Sequence, residues 1–191
     1  MKTEYEVVFM NINIEEMKSK IKSLGGKLVK ENTLMKRVVF EVPGNKRGSY
    51  LRVRDEGDKI TCTYKEEKSG DLDIHSISEL ETMVGDFQEM VNIFRKLGLK
   101  EKSYQETYRE VWEIDHEIEI MLDIWPGLNP YIEIEGENEK VVKKYCELLG
   151  FDYDNGIFGS SFQIYEKELG LDYDYINSLK EITFENPPKR I

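Results

Sequence analysis

Leu51-Arg52-Val53-Arg54 and Tyr131-Ile132-Glu133-Ile134-Glu135, with Glu4-Tyr5-Glu6 near the start, decide how this chain folds. In a β-strand, residues i and i+2 share a face. Each stretch therefore sets a like-charged pair on one face and apolar residues on the other. One such pair is an ordinary solvated strand face. Pairs of both signs in one small chain call for a common explanation, because like charges repel until opposite charge neutralises them.

The pairs recur with a repeat, which governs the rest of the chain. Asn13 caps a helix in capping-box spacing with Glu16; its stripe is Met17, Ile21 and Leu24, and Gly25-Gly26 end it. A second helix starts at Asp86, carries Phe87, Met90, Val91, Phe94 and Leu97, and stops at Gly98. A third starts near Asn138, carries Val141, Val142, Tyr145 and Leu149, and stops at Gly150. Each follows an acidic strand pair (Glu4/Glu6, Glu79/Glu81, Glu133/Glu135) and closes on Leu-Gly. Arg37 lies eleven residues past Gly26, as Arg109 lies eleven past Gly98. Hairpins turn near Asp55-Glu56-Gly57-Asp58 and near Trp125 to Pro130. Counting six and eight residues beyond Gly57 gives Thr63 and Lys65; the same count beyond Gly127 gives Glu133 and Glu135. One half thus contributes Arg52, Arg54 and Lys65, and the other Asp123, Glu133 and Glu135.

Two such halves predict an α+β fold: an eight-stranded antiparallel β-barrel, or tunnel, built from two related halves with helices packed outside. Val7, Phe9, Leu51, Val53, Ile60, Cys62, Tyr64, Ile132 and Ile134 face outward under the helices, and the charged faces look at each other across the lumen. The competing picture is an open sheet with helices on one face and water on the other. The barrel domain is expected over 1–170, including a short helix from Ser161 to Leu169, with a C-terminal extension over 171–191. Glu185 to Ile191 reads as extended or disordered.

Thirty-eight acidic against 27 basic residues leave a net charge of −11, which argues against nucleic acid or an anionic membrane as partner. No run of apolar residues is long enough for a transmembrane helix, and the start carries no signal core. Cys62 and Cys146 read as free thiols of a cytoplasmic protein. His75 and His116 lack zinc spacing, and neither a G-x-S-x-G elbow nor a Gly-rich phosphate loop is present. A basic wall facing a carboxylate wall suits a polyanion held with divalent metal: guanidinium forks for phosphate oxygens, carboxylates for Mg²⁺ or Mn²⁺. The alternative is a salt-bridge network serving stability alone, at a desolvation cost of several kcal/mol per ion.

Glu4-x-Glu6, Leu51-Arg52-Val53-Arg54, Thr63-Tyr64-Lys65, Glu79-Leu80-Glu81, Arg109, Asp123 and Tyr131-Ile132-Glu133-Ile134-Glu135 stand in the order seen in CYTH proteins. The chain resembles that family over roughly residues 1–170. These triphosphate tunnel metalloenzymes include class IV adenylate cyclases, thiamine triphosphatases and inorganic tripolyphosphatases. The resemblance implies metal-dependent hydrolysis of an inorganic, nucleoside or thiamine triphosphate. The alternatives are cyclisation of ATP to cyclic AMP and pyrophosphate, or polyphosphate binding without turnover. It implies Arg37, Arg52, Arg54, Lys65 and Arg109 as substrate-binding groups. Glu4, Glu6, Asp123, Glu133 and Glu135 become metal ligands, and Glu6, Glu81 and Asp123 catalytic groups. Val8 stands where the family's E-x-E-x-K motif has lysine, which favours the binding-only alternative, and Tyr108 stands where a second basic residue is common. A homodimer stays open.

Overall fold

Strand β1 (Lys2–Phe9) leads through helix α1 (Ile14–Ser23) into three antiparallel strands, β2 (Lys27–Glu41), β3 (Ser49–Asp55) and β4 (Ile60–Glu67). The pattern then repeats: β5 (Ile77–Met83), helix α2 (Phe87–Lys96), β6 (Glu101–Ile114), β7 (Ile118–Ile124) and β8 (Tyr131–Gly136). Helix α3 (Glu139–Leu149), a single 3-10 turn (Tyr153–Asn155), helices α4 (Ser161–Leu169) and α5 (Tyr173–Ser178) and strand β9 (Glu181–Ile182) follow. The computed structural model describes residues 1–44, 48–67 and 72–190.

The helices begin where side-chain oxygens cap them. Asn13 accepts from the backbone N–H groups of Glu15 and Glu16, Asp86 from that of Glu89, and Asn138 from that of Val141. Gly25 and Gly98 take left-handed backbone (φ +85° and +81°), which favours glycine and ends both helices the same way.

The strands run in the order β2-β3-β4-β5-β1-β8-β7-β6, and β2 pairs with β6, so eight of the nine described strands close into an antiparallel barrel. This is the barrel the repeat predicted, and closure rules out the open sheet. The register reproduces the internal alignment. Arg37 sits opposite Arg54 between β2 and β3, as Arg109 sits opposite Asp123 between β6 and β7. The repeat therefore equates Arg37 with Arg109 and Arg54 with Asp123.

One element of the topology is absent from the repeat itself. The halves exchange their opening strands: β1 lies between β5 and β8, and β5 lies between β4 and β1. Glu4 and Glu6 thereby join the acidic wall of β8, whereas Glu79 and Glu81 are delivered to the basic wall beside β4.

The outward faces of β1, β7 and β8, and of β2 and β3, are apolar and covered. Helices α1 and α3 pack Met17, Ile21, Val142, Tyr145 and Leu149 with Val7, Phe9, Ile120, Ile132 and Ile134 of the sheet. Helix α2 packs Val91 and Phe94 with Val38, Phe40 and Val53, flanked by Ile60 and Cys62. Tyr64 also lies on the outer face, donating its hydroxyl to Glu66.

A third cluster is unlike these. It joins lumen-facing Val8, Trp125 and Tyr131 to Ile157, Ile164, Tyr165, Leu171, Ile176 and Ile182. Ile157 bridges to Val8, and β9 runs parallel to β6. The segment from Ile157 to Ile182 therefore covers one mouth of the barrel. Residues 185–190 lie outside helix and strand, and Ile191 lies outside the described residues. Cys62 and Cys146 are free thiols. Among the described residues, no helix is long and apolar enough to cross a membrane.

Candidate functional site

Inward positions of the barrel line a cavity of about 660 Å³ that contains Glu4, Glu6, Arg37, Arg52, Arg54, Lys65, Glu81, Arg109, Glu133 and Glu135. Period-2 alternation put them there: the same strands whose odd or even set packs under helices point the other set inward. Asp123 is fully buried beneath this surface, bound to Arg109. All the residues expected from sequence are thus brought to one site.

The basic wall is held by its neighbours rather than by counter-charge alone. Arg52 donates from Nη2 to the Thr63 hydroxyl at 3.1 Å, and Thr63 donates to Glu81 at 2.8 Å. Glu81 also lies 3.6 Å from the Arg52 guanidinium. Delivered by the strand exchange, Glu81 orients Arg52 through Thr63. Arg54 donates from Nε to Glu56 at 2.9 Å, with a second contact at 2.6 Å. Arg37 donates to Thr107 at 2.8 Å and lies 4.7 Å from the centre of the Trp125 ring. Burial, and then Arg52, Arg54 and Arg109, push Arg37 down to about 9, so it stays charged at neutral pH. Burial and the adjoining Arg52 also lower Arg54, against the attraction of Glu56. The buried Nε atoms of Arg37 and Arg52 have no hydrogen-bond partner among the described residues.

The acidic wall shows the opposite imbalance. Carboxylate oxygens of Glu4, Glu6 and Glu135 lie within 4.8 Å of one another. Burial pushes Glu135 up to about 7, with Glu4 and Glu133 adding to it. Burial likewise raises Glu6 well above its ordinary range, against the pull of Lys65. Glu79 rises to about 7 through burial and Glu4. Lys65 crosses between the walls, 2.7 Å from Glu4.

Arg109 is engaged differently. It grips Asp123 through Nε at 2.7 Å and Nη2 at 2.5 Å, and reaches Glu133 at 2.9 Å. Against the penalty of burial, Asp123 and Glu133 keep Arg109 charged. Burial raises Glu133, but Arg109, Lys65 and Arg54 outweigh it and leave Glu133 below its usual range. Asp123 and Glu133 are thus committed to Arg109, while Glu4, Glu6 and Glu135 form the carboxylate cluster.

Glu56 escaped the sequence reading, which saw only a turn. It is 4% exposed, holds Arg54, accepts from Thr61 at 3.3 Å and pairs with Lys30 at 3.2 Å. Despite its burial, Arg54, Lys59 and Lys30 hold it down at about 2. The signal was present in Arg54-x-Glu56, an i, i+2 pair of opposite sign. Thr107 and Trp125, which flank Arg37, carried no comparable signal.

A family model described as the CYTH domain matches residues 2–157. A relative from Methanocaldococcus jannaschii, named as a candidate adenylate cyclase, is 32% identical over 105 residues. That match covers 52% of this chain and 59% of the relative, so the chain matches less than two thirds of that protein's length. A solved protein of Pyrococcus horikoshii is 26% identical with a TM-score of 0.66, covering 81% of this chain and 94% of its own. A Hippeastrum protein, described as a candidate adenylyl cyclase with dominant triphosphatase activity, is 14% identical with a TM-score of 0.55. It covers 86% of this chain and 95% of its own, and at that identity the likeness is one of fold.

Proposed function

We propose, on the premise that this chain belongs to the CYTH domain family, that it hydrolyses a triphosphate bound along the barrel lumen together with a divalent metal ion. One observation carries the reading: each wall holds more like charge than its ion pairs neutralise. Cations on one side depress one another, and carboxylates on the other are pushed toward protonation. A polyanion relieves the first wall and a divalent cation the second.

Arg52, Arg54 and Arg37 offer forked donors to phosphate oxygens, with Lys65 as a point charge. Arg109 joins them on exchanging its carboxylate partners for phosphate. The clustered oxygens of Glu4, Glu6 and Glu135 suit a hard cation such as Mg²⁺ or Mn²⁺, with Glu133 and Asp123 adjoining once Arg109 turns to substrate. Bound there, the ion supplies charge neutralisation at the phosphoryl oxygens. In the hydrolysis, a water oxygen bonds to the terminal phosphorus as the bridging P–O bond breaks. The bonding pair leaves on the diphosphate oxygen, beside the arginines. Glu6 takes the water's proton as the general base. Asp123 positions Arg109, and Glu81 positions Arg52. A small polyanion rather than a nucleic acid as partner, and a cytoplasmic location, belong to the same reading.

Cyclisation of ATP is the second reading, favoured by the name of the Methanocaldococcus relative. It needs the same grip on the triphosphate, with the ribose 3′-hydroxyl attacking the α-phosphorus and pyrophosphate leaving. Binding without turnover is the third, favoured by Val8 in the lumen. Incubation with tripolyphosphate, ATP and thiamine triphosphate plus Mg²⁺ or Mn²⁺ separates them. Orthophosphate marks hydrolysis, cyclic AMP with pyrophosphate marks cyclisation, and thermal stabilisation without products marks binding alone. If Glu133→Gln and Arg54→Ala leave both binding and activity unchanged, the lumen is not the site.

A further inference from the structure

The two halves match strand for strand, but their outer faces are not equally covered. Counting from the helix caps Asn13 and Asp86 equates Val7 of β1 with Leu80 of β5. The same count equates Met17, Lys20 and Leu24 of α1 with Met90, Ile93 and Leu97 of α2. Through the hairpins, Ile132 and Ile134 of β8 match Cys62 and Tyr64 of β4. Helix α3 lies over β8 and β1 and against α1, where Lys20 Nζ donates to the Leu149 carbonyl at 3.4 Å. Val7, Ile132 and Ile134 are wholly buried there. The first half has no such helix: β4 joins β5 through residues 68–76, a link shorter than the 11-residue α3, and none of its described residues is helical. Leu80, the counterpart of Val7, is 55% exposed, and Cys62 and Tyr64 stay half-buried. Among the described residues, nothing fills the place beside α2 that α3 fills beside α1.

The chain itself carries a helix that suits this place. Helix α3 buries Val142, Tyr145 and Leu149, spaced i, i+3, i+7. Met90, Ile93 and Leu97 repeat that spacing on α2 and its C-cap, with Met90 half-buried and the other two exposed. Among the described residues, no other helix exposes two large apolar side chains. A contiguous apolar patch of this kind marks a surface of association. The charges agree with a second α2 as occupant. Glu89 lies in the first turn, and Arg95 and Lys96 lie in the last. Arg95 is engaged by Glu101 of its own chain at 2.6 Å. Glu89 and Lys96 bracket Ile93 on one side of the helix, four residues before it and three after it. In two antiparallel copies of α2 crossing at Ile93, Glu89 of each copy meets Lys96 of the other.

We propose that this surface binds a second copy of the chain, with the two α2 helices antiparallel about a twofold axis near Ile93. Each α2 then takes, beside the other copy's α2 and against its Leu80 and Tyr64, the place that α3 takes beside α1. Such a contact is isologous: stripe and groove belong to one patch, present on both copies, and the assembly closes at two. The inference stands apart from the triphosphate reading, since the patch lies on the outside of the barrel.

The test is sedimentation equilibrium of the full-length chain over roughly 1–100 µM. Twice the chain mass is expected at the upper end. Ile93→Asp sets two like charges face to face on the axis, and Leu80→Lys puts a charge in the groove. Each should raise the dimer Kd at least about tenfold, and both sites are exposed in the single chain, so the fold tolerates them. Glu89→Lys and Lys96→Glu, each alone, should weaken the dimer at least about fivefold by pairing like charges at both junctions. An equimolar mixture of those two variants should dimerise as the unaltered chain does, because both junctions are again of opposite sign. A single chain mass throughout, or an assembly larger than two, overturns the inference. So does a dimer that Ile93→Asp and Leu80→Lys leave intact, or a mixture that dimerises no better than either variant alone.

Discussion

Replacing Glu56 by glutamine should destabilise the protein by about 3 kcal/mol at neutral pH, although the residue lies in a hairpin turn. Its carboxylate is buried, clamps Arg54 through two contacts and pairs with Lys30. The folded protein holds its pKa at about 2 against an ordinary 4.5, and one pKa unit is worth about 1.4 kcal/mol. The product, about 3 kcal/mol, agrees with the roughly 3–5 kcal/mol that breaking a buried ion pair costs. In a chain of this size that is a fall in Tm of roughly 6–12 °C. The pH dependence separates this cause from mere packing. A depressed pKa contributes stability that is present above 4.5 and lost as pH falls toward about 2. The gap between wild type and Glu56→Gln in urea melts should therefore be full at pH 6 and shrink steadily below pH 4.5. A gap under about 0.5 kcal/mol at pH 6, or one that does not change with pH, would refute the reasoning.

Val8→Lys should cost about 1–3 kcal/mol, because the longer side chain overpacks the cluster around Ile157 and Tyr165 even with Glu133 across from it; a variant as stable as wild type in denaturant melts would contradict that packing. Arg109→Ala should cost about 3–5 kcal/mol, since Asp123 and Glu133 lose their shared cation; a loss below about 1 kcal/mol in the same melts counts against it. Glu135 and Glu79 bind protons more tightly folded than unfolded, so their contribution to stability falls as pH rises from 4.5 to about 7. Melts in chelator at pH 5 and pH 7.5 should show that fall, and Mn²⁺ should reverse it at pH 7.5; a Mn²⁺ effect of equal size at pH 5 would argue against carboxylate ligation.

Much of this architecture was legible because period-2 charge pairing and the Leu-Gly helix stops are local signals. Thr63 and Lys65 could be matched to Glu133 and Glu135 through the hairpins alone, and the register places Arg54 and Asp123 in equivalent positions. The exchange of β1 and β5 was not legible. Strand order is a long-range property, and no residue of Glu79-Leu80-Glu81 tells which wall it will join. Glu56 was hidden by the turn around it, since one of its partners, Lys30, lies far off in sequence. The segment after Leu171 was missed for a related reason. Leu171, Ile176 and Ile182 are too sparse to signal an element, and they are buried only because the barrel mouth is already apolar at Val8 and Trp125. Val8, which looked like a defect in a charged strand, is one face of that packing.

The central claim is that the two walls are completed together, one by a polyanion and the other by a divalent cation. Coupling between two ligands is reciprocal, so it can be read from either side. The most direct measurement is a calorimetric titration of tripolyphosphate into the protein, with and without saturating Mn²⁺, corrected for metal binding by free tripolyphosphate. The account predicts at least about tenfold tighter binding with the metal, and loss of that gain in Glu135→Gln. Tripolyphosphate affinity that ignores both the metal and Glu135 would contradict it.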